Sequence, residues 1–205
     1  INATLGQAIS AQEPSLNTPA HLIVAAAVFA KPHNPKVTWA ALIGGFLPDL
    51  SLYVLAAWSM FIQSNTAQHV FETQYFSADW QQIFAVDNSF FIWAFVIAVG
   101  VYLRKHWLWA FGGAGFLHLC LDFPLHHDDA RQHFWPLTDW TFKSPLSYWD
   151  HNHYGDIISL LEIGLCLVCL VFLWRRFESK MARILIGAIA AMQLLPAIAF
   201  GLMFN

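Results

Sequence analysis

The chain is 205 residues long, 58% hydrophobic and only 11% charged, against roughly 45–50% apolar and about 25% charged residues in an ordinary soluble domain. That balance points to lipid contact and excludes a disordered chain, while a formal net charge of −3 provides no basic field for a phosphate backbone and argues against nucleic acid as a partner. Cys120, Cys166 and Cys169 all lie in apolar runs, where a thiol reads as a small packing residue rather than half of a disulfide.

Residues 1–19 lack the charged, then apolar, then small-residue order of a signal peptide. Asn17-Thr18-Pro19-Ala20 reads as an N-cap and early-turn proline opening the first apolar segment, 18–30, with His21 at its mouth. This segment is short for a span, which needs about 20 residues. The second, 37–62, carries Asp49 within Gly44-Gly45-Phe46-Leu47-Pro48-Asp49-Leu50-Ser51. An acid at that depth is costly and must face the bundle interior with a partner. The paired glycines and Pro48 predict a break in the helix there, freeing backbone carbonyls. Residues 63–87 read as a loop, followed by segments 88–103 and 106–121, a polar stretch 122–156, and segments 157–174 and 184–204. Glu162, about two turns into the fifth segment, is a weaker candidate for the pocket of Asp49.

The expected fold is all-α: one integral membrane domain over 1–205, a polytopic bundle of about six transmembrane helices with a His/Asp-rich extracytoplasmic cap at 122–156. If all six segments cross, Lys31, Lys36, Arg104, Lys105, Arg175, Arg176, Lys180 and Arg183 share one side, eight of the ten basic residues. The excess of Lys and Arg marks that side as cytoplasmic. Both termini and the loops 63–87 and 122–156 then face the periplasm or exterior. Trp80, Trp135, Trp140 and Trp149 fall near the expected membrane ends, where indoles favour the interface.

The cap holds the chemistry. Six of the ten histidines and six of the nine aspartates lie between positions 118 and 156. His118 and Asp122 are four apart on a helix, so both reach one point on the same face. Beyond them come His126, His127, Asp128, Asp129, Arg131 and His133, then Asp150-His151-Asn152-His153-Tyr154-Gly155-Asp156. Imidazole and carboxylate form the ligand set of zinc, manganese or iron. The plainer alternative is a solvated loop whose histidines cap helices.

His21 in NTPAHL, Asp49 in FLPDLS, and His118 and Asp122 in HLCLDF with FWPL downstream together resemble the bacterial membrane-bound metal-dependent hydrolase family, over about residues 17–156. The resemblance implies a small multi-helix protein of the inner membrane whose His and Asp residues are similar to those of zinc-dependent phospholipase C. It makes His21, Asp49, His118 and Asp122 metal ligands for one or two divalent ions, zinc foremost, with a bound water attacking a phosphate or related ester. Two departures stand out: Ser51 occupies the place of a second acid, and Asp87-Asn88-Ser89 replaces an HRG…HS element. These imply a reduced ligand set, which His126, His127, His133, His151 and His153 are placed to supplement. Asp87 or Asn88 is a weaker substitute.

The function expected from this reading is a membrane-embedded, metal-dependent hydrolase acting on a lipid-like ester such as a phospholipid or polyprenyl phosphate, with membrane lipids around it. Asp128, Asp129 or His133 is the candidate general base or acid, and Arg131 either pairs with an anionic substrate oxygen or forms a salt bridge with a neighbouring Asp. The rival reading is a non-catalytic subunit of a larger membrane complex, whose ten Trp and eighteen Phe pack against other membrane-protein subunits. A transporter with a broken second helix and a pigment-binding protein are further alternatives, the latter without a CxxCH motif for covalent haem.

Overall fold

The computed structural model describes residues 18–148 and 150–203, with side chains as far as Leu195. Asn17 of the expected N-cap and Trp149 of the expected aromatic belt lie outside the described residues. No strand occurs among the described residues, and seven helices of ten or more residues carry the fold: α1 Thr18–Phe29, α2 Pro35–Ala57, α3 Ala78–Asp87, α4 Phe90–Tyr102, α5 His106–Asp122, α6 Gly155–Arg176 and α7 Lys180–Met203. Their starts follow local chemistry. Asn34 accepts a hydrogen bond from the Val37 N–H at 3.2 Å, with Pro35 next to it, and opens α2. Ser77 and Ser89 cap α3 and α4 in the same way. Arg175 and Arg176 sit in the last turn of α6, where the exposed carbonyls favour cations.

Three stretches are long and apolar enough to cross a membrane: Pro35–Ile62, Ala78–Tyr102 and Gly155–Arg176. Thr18–Phe29 is a shorter apolar helix of 12 residues, and α5 has 17. Two sequence expectations are corrected. Pro48 does not break α2, which runs through it without interruption. Residues 63–87 are not simply a loop either, because short helical turns at 67–74 and the whole of α3 lie within them. A serine cap and an apolar face containing Phe84 and Ala85, both fully buried, make that helix despite its polar flanks.

The glycines of α2 serve close approach rather than a break. A Cβ at Gly44 would stand 2.1 Å from the Phe111 carbonyl oxygen of α5, and one at Gly45 would stand 2.8 Å from the Ala25 Cβ of α1. The backbone of α2 therefore lies directly against both neighbours, the small-residue packing that lipid-embedded helices rely on. On the other face of α1, Ala20, Ile23, Ala26 and Ala30 pack against Cys166, Leu170 and Leu173 of α6. This arrangement brings the start of α1, the middle of α2 and the end of α5 together.

The stretch after α5 is irregular but tied down. Ser144 and Tyr148 donate backbone N–H bonds to the carbonyls of His126 and Leu125 at 3.0 and 3.2 Å, and Phe90 does so to His133 at 3.0 Å. The Ser89 hydroxyl donates to the Trp135 carbonyl at 2.5 Å and the Tyr75 hydroxyl to that of Asp129 at 3.2 Å.

Candidate metal centre

His21 lies in the first turn of α1, Asp49 in α2 next to Pro48, and His118 and Asp122 one turn apart at the end of α5. All four are buried. His21 Nε2 stands 2.9 Å from Asp122 Oδ1, and His118 Nε2 stands 3.0 Å from Asp122 Oδ2 and 3.6 Å from Asp49 Oδ1. The two imidazoles are cofacial, with ring centroids 3.7 Å apart. Ligand atoms of His21, His118 and Asp122 all fall within 4.8 Å of one another, so the three can hold one metal ion.

Neighbouring groups orient these side chains. His118 Nδ1 lies 2.8 Å from the Gly45 carbonyl oxygen, which only accepts, so Nδ1 carries a proton and Nε2 is the atom turned toward the carboxylates. Thr18 donates its hydroxyl to Asp49 Oδ2 at 2.5 Å. Its oxygen, 2.8 Å from the Tyr53 hydroxyl, then accepts from that phenol. Tyr53 and Thr18 were not anticipated as parts of the site, although Tyr53 follows Asp49 by one helical turn and shares its face.

His126 joins from the cap. Its Nδ1 is 2.5 Å from Asp129 Oδ2 and its Nε2 3.6 Å from Asp122 Oδ1, the carboxylate–imidazole pairing that commonly backs a metal ligand. Burial works against its protonation, but Asp129 and Asp122 outweigh it and push the imidazole up to about 10. Asp129 is thereby committed to His126. His133 is also buried; its Nδ1 donates to the Arg131 carbonyl at 2.9 Å. Desolvation dominates there and brings it down to about 4, so near neutral pH its Nε2 holds a free lone pair.

The remaining residues of the cap form a separate surface group. His127 and His153 are cofacial at 3.7 Å, His127 donating from Nδ1 to the Ser144 carbonyl at 2.6 Å and His153 pairing with Asp150 at 2.5 Å. His151 and Asp156 pair at 2.9 Å with side chains 76% exposed, and the Asp128 side chain is 73% exposed. The structure therefore divides the expected cluster: His126, Asp129 and His133 turn inward, whereas His127, Asp128, His151 and His153 do not join the group of His21, His118 and Asp122. Glu162 bonds across to Gln193 of α7 at 2.7 Å. Asp87 offers its backbone carbonyl to Trp93 at 2.7 Å, and Asn88 spends its amide on the Phe84 and Pro48 carbonyls at 3.0 and 3.3 Å.

The donor chemistry fits a divalent cation. Asn88 Oδ1, Asp129 Oδ1 and His133 Nε2 are buried acceptors without a hydrogen-bond partner, and His118 Nε2 and Asp122 Oδ1 have only the ion-pair contacts above, whereas buried polar atoms almost always have a hydrogen bond. Zinc bonds of about 2.0–2.2 Å to nitrogen and oxygen set neighbouring ligand atoms roughly 3.3 Å apart, close to the separations at Asp122. Comparison with family models, with curated proteins and with solved structures finds no match to this chain.

Proposed function

We propose that the protein is a membrane-embedded, metal-dependent hydrolase acting on a phosphate or related ester of a lipid-like substrate. The single observation that carries this reading is the convergence of His21, His118 and Asp122 from two distant helices into one buried group with ligand geometry. It is supported by the unpartnered atoms around that group, and the motifs that resemble the metal-dependent hydrolase family supply these same side chains.

His21, His118 and Asp122 would hold the ion, with Asp49 and His126 adjacent to complete or extend its shell. Imidazole and carboxylate in a compact set of this kind suit zinc. A divalent ion, when bound, lowers the pKa of water toward about 7 and polarises an ester oxygen. The chain does the rest. Gly45 and Asp129 fix the imidazoles of His118 and His126, and Thr18 with Tyr53 fixes Asp49. Of the three candidate proton carriers, His133 has a buried, free Nε2, while Asp129 is engaged and Asp128 faces outward; His133 is therefore the group placed to accept a proton or a hydrogen bond from attacking water.

In the bilayer we read six spans, with α1, α5 and α7 crossing beside Pro35–Ile62, Ala78–Tyr102 and Gly155–Arg176, and the centre beneath the cap of residues 122–156. Eight of ten basic residues then lie on the opposite side, which favours reading the centre as facing the periplasm or exterior of an inner membrane. Such a position gives lateral access to lipid esters. Phosphate release from short-chain lipid phosphate esters by the purified protein tests the reading. Release should stop with chelator or with Asp122→Asn and return on zinc addition to the wild type. Hydrolysis indifferent to both, or none with any such ester, would overturn it.

A further inference from the structure

We propose that Arg131 is the anion-binding arm of this centre and that its ligand is a phosphate oxyanion, which narrows the substrate to esters carrying negative charge. The inference rests on the metal-centre reading above and goes beyond it by fixing the charge and shape of what binds.

Arg131 is 5% exposed, and arginine stays ionised in any protein environment. A buried cation is ordinarily matched by a carboxylate. Among the described residues no carboxylate makes an ion pair with Arg131. Its Nη1 donates to the Pro48 carbonyl at a long 3.4 Å, its guanidinium lies 4.9 Å from the Phe84 ring centroid and 6.0 Å from that of Tyr75, and its Nε has no partner. The Tyr75 side chain also hydrogen-bonds the guanidinium, and these contacts hold the planar group in place but leave Nε unused. Burial disfavours the cation, yet Tyr75, Asp49 and Asp122 nearby keep its pKa above the ordinary arginine value.

Placement connects this fork to the metal group. Pro48, whose carbonyl it touches, precedes Asp49, and Asn88 donates to the same carbonyl at 3.3 Å while its Oδ1 lacks a partner. The region thus presents an unspent guanidinium donor and an unspent amide acceptor next to a carboxylate of the centre. A guanidinium fork matches two oxygens of a phosphate group in a bidentate manner. A neutral carboxylic ester would leave it unpaired.

The test measures binding, so it does not depend on turnover. Full-length protein in phospholipid-free detergent, loaded with zinc, is titrated with inorganic phosphate by calorimetry. It is titrated in parallel with a short-chain phosphatidate and the diacylglycerol of the same chains. Arg131→Met should weaken phosphate and phosphatidate by roughly ten- to hundredfold, leave diacylglycerol unchanged and leave zinc content unchanged. Arg131→Lys keeps the charge that the fold has accommodated and loses the fork, so it should fall between Met and wild type. Phosphate matching phosphatidate identifies the oxyanion alone as the ligand, whereas tighter phosphatidate identifies a lipid headgroup; either supports the proposal. Equal affinities in wild type and both variants overturn it while leaving the metal centre standing. Wild type that binds phosphate through Arg131 but holds no zinc would overturn the hydrolase reading instead.

Discussion

His21 and His118 lie face to face, their ring planes within 19° of parallel and both Nε2 atoms directed at the carboxylate of Asp122, at 2.9 and 3.0 Å. A cation bound between the two rings and this carboxylate would join α1 to α5 and stabilise the folded state by mass action, about 2.7 kcal/mol at a free metal concentration one hundred times Kd. Chelator should lower the melting temperature in detergent, and zinc should restore it. In His21→Ala the melting temperature should no longer respond to either. An unchanged transition in the wild type would speak against a cation between these helices.

Asp129 acts through His126. Removing the charge in Asp129→Asn keeps the shape but weakens the hold on Nδ1 at 2.5 Å. Losses of about 10–100-fold in metal affinity are typical for such outer partners, and competition against a chromophoric chelator measures them. Asp128→Asn, at a side chain 73% exposed, should leave affinity within about twofold of wild type, since exposed substitutions away from partners are close to neutral.

His133 sets a pH dependence with a definite sign. Burial brings its imidazole down to about 4 in the folded protein, against about 6.5 in an unfolded chain. Between those values the unfolded state binds the extra proton, so the stability that neutral His133 contributes is present above pH ~6.5 and is lost as pH falls toward ~4, by up to about 3 kcal/mol. Metal-free wild type should thus lose more stability over this window than His133→Gln, as read from denaturation midpoints. Equal losses in the two proteins would show that His133 is not held neutral.

The close crossing of α2 predicts steric sensitivity. Gly44→Ala would drive a Cβ into the Phe111 carbonyl at 2.1 Å, an obstacle that a rigid backbone cannot yield to cheaply. Overpacking of this kind costs about 1–3 kcal/mol or more, and the displaced α5 carries His118 and Asp122 with it. A lower melting temperature accompanied by loss of metal is expected. Gly187→Ala, where an added Cβ meets nothing within 4 Å, should be neutral or slightly stabilising.

Part of the candidate group of His21, His118 and Asp122, with Asp49 beside it, was legible because its parts obey local rules. His118 and Asp122 sit at helical spacing, and an acid inside an apolar run such as Asp49 demands a partner. Other features depend on tertiary contacts that no spacing reveals. His126 and His127 are adjacent in sequence, yet one turns to Asp122 and the other stacks on His153, a division set by how the cap folds back on α5. Pro48 suggested a break because proline removes one backbone donor, but a single missing bond leaves α2 continuous while neighbouring carbonyls serve His118, Asn88 and Arg131. Helix α3 reads as loop in the sequence because its polar residues mask Phe84 and Ala85, which only the packed structure shows to be buried. Three stretches carry membrane-spanning length on their own, and the shorter α1 blurs the count that apolar runs suggested.

Elemental analysis of the detergent-purified protein, with His118→Ala and Asp122→Ala beside the wild type, tests the metal centre most directly. The account predicts one or two equivalents of a divalent metal, zinc foremost, in the wild type and less than about a tenth of that in either variant, given ligands that act as one set. A metal-free wild type, or variants that retain the full complement, would contradict it.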